Sequence, residues 1–114
     1  MASRPADSES LRRIKHALVH RACHGYVQIC LTCADRFRTE IDRLSCTRSR
    51  LLDLMHEHIQ GGGRVKEQDN EPGKDYDIWF AVNLIIGTKK VFVKFVLEPN
   101  CPVESGLLII NIHP

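Results

Sequence analysis

The spacing of apolar residues changes character at the triple glycine Gly61–Gly63. Before it, apolar side chains recur at every third or fourth position; after it, at every second. A period near 3.6 belongs to one face of a helix and a period of 2 to one face of a pleated strand, so the chain reads as helices first and sheet second. The expected class is therefore α+β, with two to three N-terminal helices packed on a C-terminal antiparallel sheet of three to four strands.

The opening "MASRPAD" has no apolar period, and residues 1–7 are expected to fray, leaving 8–114 as one domain. Leu11, Ile14 and Leu18 then form a helical stripe that Gly25 can stop. "YVQICLT" is short and rich in β-formers, which fits an extended connector. Thr32, with Asp35 three residues on, reads as the cap of a helix carrying Ala34, Phe37, Ile41 and Leu44. Ser45 or Thr47 opens the next, carried by Leu51, Leu52, Met55 and Ile59 to the glycines. Beyond them, "RVKEQ" is a charged candidate edge strand. "YDIWFAVNLII" and "VFVKFVLE" form a hairpin about Gly87, and "LLIINIH" is the last strand.

A chain of 114 residues suits one modest core. No apolar run approaches the roughly 18 residues of a membrane span, and the opening lacks the apolar stretch of a secretory signal, so the expectation is a cytoplasmic protein. Five cysteines, an odd number, fit a reducing compartment. The net charge of +2 does not by itself announce a nucleic-acid partner. Residues 1–60 hold 10 Lys and Arg against 7 Asp and Glu, however, and 61–114 hold 6 against 7. Any basic patch thus belongs to the first half, where Arg36, Arg38, Arg48 and Arg50 could contact phosphates, with Arg64 beyond the glycines; a solvated helical face is the plainer reading.

Strand alternation sorts the chemistry. In "VFVKFVLE", Lys94 shares a face with Phe92, Val96 and Glu98; in "LLIINIHP", Asn111 and His113 share a face opposite Leu108, Ile110 and Ile112. The aliphatic set is expected against the helices. Its reverse then offers Lys94 and His113, and "RVKEQ" offers Lys66. A histidine that moves protons and lysines that balance charge on phosphorus are what cleavage of a phosphodiester by a ribose 2′-hydroxyl requires. Trp79 and Phe80 read as core rather than as a stacking platform. A rival site is "HRACHGYVQICLTC", whose His20, Cys23, His24, Cys30 and Cys33 include enough donors for zinc but lack a second Cys-x-x-Cys pair. No glycine-rich phosphate loop or nucleophile elbow is present, and no cofactor is implied.

From "DYDIWFAVNLIIGTKKVFVKFVLE" to "LLIINIHP" the chain resembles the MqsR and RelE class of bacterial ribonuclease toxins. The shared features are an Ile-Trp entering a strand, a Val-aromatic-x-Lys strand after a short turn, and an aliphatic last strand closing on a basic residue. The resemblance implies a RelE-like fold, metal-independent RNA cleavage, and a cognate antitoxin as partner. It places Lys66 and His113 as a catalytic pair, with Lys94 beside them. Phe80 and Phe92 stand where such toxins carry an amide and a catalytic tyrosine, so two hydrogen-bonding groups are missing. A non-catalytic interaction module on the same fold is the alternative, and a small zinc-binding domain a more distant one.

Overall fold

A computed structural model describes residues 3–23, 25–98 and 106–114. Helix α1, Ser8–Val19, begins at Asp7, whose carboxylate accepts the Ser10 amide at 2.7 Å and occupies one of the amide donors a helix leaves unpaired at its start. It buries Ile14, Ala17 and Leu18. Helix α3, Arg48–Gln60, is capped in the same way by Thr47, whose hydroxyl accepts the Arg50 amide at 3.1 Å; Leu51, Leu52, Met55 and Ile59 are its buried stripe. Helix α2, Ala34–Arg43, starts differently. Thr32 is not its cap: a 3₁₀ turn, Leu31–Cys33, precedes the helix, and the Thr32 hydroxyl lies 3.1 Å from Cys30 Sγ instead. Tightening the chain there carries Cys33 and Phe37 into the core.

The exit of α2 is a left-handed corner. Ser45 has φ 53, the Cys46 amide donates to the Ile41 carbonyl at 3.2 Å, and the Ser45 amide donates to the Asp42 carbonyl at 3.1 Å. This pair of bonds closes helices that usually place glycine at the left-handed position.

Among the described residues the sheet has six strands, not three or four, in the order β1-β3-β4-β5-β6-β2. They are β1 (Arg4–Pro5), β2 (Val27–Ile29), β3 (Lys66–Asp69), β4 (Ile78–Ile86), β5 (Lys89–Glu98) and β6 (Gly106–His113). All neighbours are antiparallel except β2 and β6. Both additions come from segments read as irregular. Arg4–Pro5, expected to fray, pairs with β3 because Arg4 reaches the nearly buried Glu67 at 2.7 Å and Asp69 at 3.0 Å. "YVQICLT", expected as a connector, supplies β2. β3 is consequently not an edge, since β1 covers it. The β4–β5 turn is Gly87-Thr88, with φ 66 at Gly87 and no positive φ at Thr88, as a two-residue type II′ hairpin requires. The linker 99–105 lies outside the described residues.

The helices cover one face. Phe80, Val82 and Leu84 of β4, Val91, Val93 and Phe95 of β5, and Leu107, Ile109 and Ile112 of β6 join the helical stripes in one core. The β6 set departs from strict alternation. Lys94 pairs with Asn111 but Phe95 pairs with Ile109, so Ile110 is an extra residue, a β-bulge, and the face of the strand switches there. The expectation that Leu108, Ile110 and Ile112 face the helices therefore holds only for Ile112; Leu107 and Ile109 take the places of the other two.

Replacing Ile112 by Ala should cost about 2–5 kcal/mol in urea unfolding, as for other fully buried aliphatic truncations. Ile110→Ala, on the bulge and only half-buried, should cost well under half of that. Ser45→Gly should raise stability by about 1 kcal/mol, because only glycine adopts the left-handed conformation without steric cost; an unchanged melting midpoint would contradict the strain assigned to this corner.

Candidate functional site

Pairing registers place the outward side chains in rows. Lys66 is opposite Ala81, Ala81 opposite Lys94, and Lys94 opposite Asn111, so one row crosses β3, β4, β5 and β6. The adjacent row is Asn83, Phe92 and His113. Cross-strand partners share a face, so Lys66, Lys94, Asn111 and His113 all lie on the side away from the helices. Ala81 stands between the two lysines and, having only a methyl group, leaves the space above it to them.

Ring contacts hold both functional groups. The Lys94 ammonium lies 4.4 Å from the Trp79 ring centroid, a cation–π contact. The His113 imidazole stacks on Phe92, with centroids 4.7 Å apart and planes inclined by 27°. Its Nδ1 is 3.1 Å from the Pro114 carbonyl, which leaves Nε2 as the ring nitrogen free to exchange a proton. At the usual strand spacing, Lys94 is about 5 Å from the strand that carries His113, whereas Lys66 is three spacings, roughly 14 Å, from that strand. Lys94 is the nearer cation.

Asn111 connects this face to α2. Its Oδ1 accepts the Ile112 amide at 2.9 Å, next to the bulge, and an Arg36 guanidinium hydrogen at 3.3 Å. Among the described residues nothing pairs with β6 beyond the bulge on the side away from β5, because β2 pairs only with Leu107–Ile109, and Arg36 reaches around that edge. A cleft of about 410 Å³ lies there, lined by Arg36, Thr39, Glu40, Ile112, His113 and Pro114.

The other arginines are spread apart. Arg38 is exposed and 3.5 Å from Asp35. Arg48 donates to the Val27 carbonyl at 2.9 Å. Arg50 is 3.8 Å from Glu57 across α3. Arg64 is exposed in the connection before β3, where its carbonyl faces His58 Nε2 at 2.9 Å. Of the five proposed phosphate contacts, Arg36 is the one tied to the face that carries Lys94 and His113.

Two aromatic residues separate differently from the expectation. Phe80 is core, stacked near Phe95 with centroids 5.8 Å apart. Trp79 is half-buried on the outer side with Lys94 over it, as alternation along "IWFAV" requires of neighbours. Tyr76 belongs to the same side: its hydroxyl donates to Glu98 Oε1 at 2.6 Å. Nothing local in the sequence pairs residues 22 positions apart, and only the sheet brings them together.

The zinc alternative finds no support in the donor geometry. Among the described residues no three His, Cys, Asp or Glu side chains converge on one point, and His24 lies outside them. Cys33 is buried with Sγ toward the Ile109 carbonyl, and burial pushes its thiol pKa up, away from the thiolate a metal needs. No described helix is long and apolar enough to cross a membrane. No protein-family model, curated protein or solved structure matches the chain.

The Tyr76–Glu98 bond is open to titration. Donation to Glu98, then burial, then the Glu98 charge push the Tyr76 phenol up to about 12 from its ordinary value of 10. The folded value lies above the unfolded one, so this contribution to stability is complete below pH 10 and is lost as pH rises through about 12. In a Tyr26→Phe background, phenolate absorbance should report that late transition, and Glu98→Ala should move it back toward 10.

Proposed function

We propose that this protein is a metal-independent endoribonuclease-like domain acting on RNA through attack of the ribose 2′-hydroxyl. The observation that carries the reading is that Lys94 and His113 stand on the same outer sheet face, in neighbouring rows of adjacent strands, each held by an aromatic ring. His113 Nε2 takes the 2′-hydroxyl proton. The 2′-oxygen then bonds to phosphorus as the 5′-oxygen leaves with a proton from solvent, giving a cyclic phosphate and a free 5′-hydroxyl. Lys94 compensates the negative charge that grows on the phosphoryl oxygens. Lys66, two strand spacings or roughly 10 Å from Lys94, holds a neighbouring phosphate, and Arg36 holds one at the β6 edge. The resemblance to MqsR and RelE toxins points the same way and supplies the biological setting, a toxin restrained by a partner antitoxin.

Phe92 favours a second reading, a non-catalytic interaction module, because an aromatic ring stands where the resemblance would have a tyrosine hydroxyl. Exposed Ile85 on the same face adds apolar surface to it.

Incubation of purified protein with single-stranded RNA in the presence of chelator separates the two. Cleavage products ending in cyclic phosphate are expected. His113→Ala should lower the rate by about 10²–10⁴-fold and Lys94→Ala by about 10²–10³-fold. RNA that is bound but left intact would establish the interaction module, and cleavage unaltered in His113→Ala would remove His113 from the mechanism.

A further inference from the structure

Among the described residues, the last strand in the sheet order, β2, has a partner on one side only. In a parallel pair the backbone groups of alternate residues point to opposite sides. The Leu107 amide donates to the Tyr26 carbonyl at 2.7 Å and the Cys30 amide donates to the Ile109 carbonyl at 2.9 Å, so Val27 and Ile29 turn their backbone groups away from β6. The bond from Arg48 to the Val27 carbonyl confirms that direction. An unpaired row of this kind is a template for another extended chain.

A groove of about 530 Å³ runs along this edge, past Val27, Gln28 and Ile29. A second of about 570 Å³ adjoins it through Arg21, Ala22 and Arg48, and a third of about 290 Å³ lies over Ile29 toward Arg38. Their linings include Arg21, Arg38 and Arg48 and no acidic side chain. Of the three large apolar side chains that are strongly exposed among the described residues, two line these grooves: Val19 at 57% and Leu31 at 92%.

The geometry points to the β2 edge as a docking site for an extended segment of another protein, with acidic and apolar side chains in alternation. An incoming strand exchanges backbone hydrogen bonds with Val27 and Ile29 and lays apolar side chains toward Leu31 and Val19. Its first amide displaces Arg48 from the Val27 carbonyl. The freed guanidinium then meets a carboxylate, and a charge-assisted bond of that kind is stronger than the neutral one it replaces. A second copy of the chain fits poorly, because pairing β2 with its own copy sets like-charged Arg48 side chains against each other. RNA fits poorly too, because the one aromatic ring among the described lining residues, Phe37, is buried in the core and offers no open face on which a base could stack.

The test uses a short fluorescein-labelled peptide of alternating valine and glutamate, its valine–lysine counterpart, and a short single-stranded RNA. The acidic peptide should bind the full-length protein, with affinity falling as salt rises, and should slow hydrogen exchange at the Val27 and Ile29 amides. Ile29→Pro removes an outward amide without removing a bond to β6 and should weaken binding about tenfold or more. Leu31→Glu, at a side chain that contributes nothing to the core, should do the same with the melting midpoint unchanged. Equal binding of both peptides, no binding of the acidic one, protection confined to other amides, or protection of these amides by RNA alone would each overturn the assignment. RNA cleavage by the two variants reads the outer face separately, so the failure of either reading leaves the other standing.

Discussion

The extra residue in β6 is the constraint on which both faces of the sheet depend. Without it, strict alternation would put Leu107 and Ile109 on the same side as Asn111 and His113, and burying the first two would drag a polar amide and an imidazole under the helices. With Ile110 inserted, Leu107, Ile109 and Ile112 all enter the core while Asn111 and His113 stay outside. The Asn111 side-chain oxygen Oδ1 accepts the Ile112 amide at this point, which stabilises the backbone just where the ladder is interrupted. Position and packing of the candidate site are therefore set by one local irregularity, a common situation where a strand must aim a side chain.

Much of the fold was legible because its signals are local. The stripe Leu51, Leu52, Met55 and Ile59 and Gly87 in the hairpin depend on residues a few positions apart and are found as read, and of the two caps offered, Ser45 or Thr47, the structure takes Thr47. What the sequence could not yield is non-local. Arg4–Pro5 becomes a strand only because Glu67, 63 residues away, needs a cation beside it when buried. β2 becomes one only because β6 arrives alongside, and a three-residue strand has no pattern of its own to announce it. The bulge is hidden for a related reason: in a run of four aliphatic residues, any register leaves two of them on each face, and hydrophobicity cannot say which pair is buried.

Candidate site residues divide along the same line. Lys94, Asn111 and His113 were assigned to one face from alternation within single strands, and that assignment survives the bulge because all three lie on the hairpin side of it. The arginines were grouped by closeness in sequence, which on helices and corners means little. Arg36 turns toward β6, Arg48 toward β2, and Arg50 along α3. A basic composition in the first half thus becomes several separate contacts rather than one phosphate-binding surface. On the proposed reading, RNA at the outer face would be held chiefly by its own lysines and by Arg36, which rounds the edge.

β6 is the element common to both proposed surfaces, and its two halves keep them apart. From Leu107 to Ile109 it is covered by β2, so a strand docking on the far edge of β2 lies two spacings, roughly 10 Å, from β6 and does not itself reach Lys94. From Ile110 onward β6 is uncovered, and there Arg36 and His113 share a cleft. A partner that only augments the sheet would leave the cationic face open. To silence it, the partner chain must continue past Cys30 and over the α2 side to the β6 edge, where an acidic group can occupy Arg36 and approach His113. If both proposals hold, docking and inhibition would be separable: the strand would supply affinity, and the segment that follows it the block.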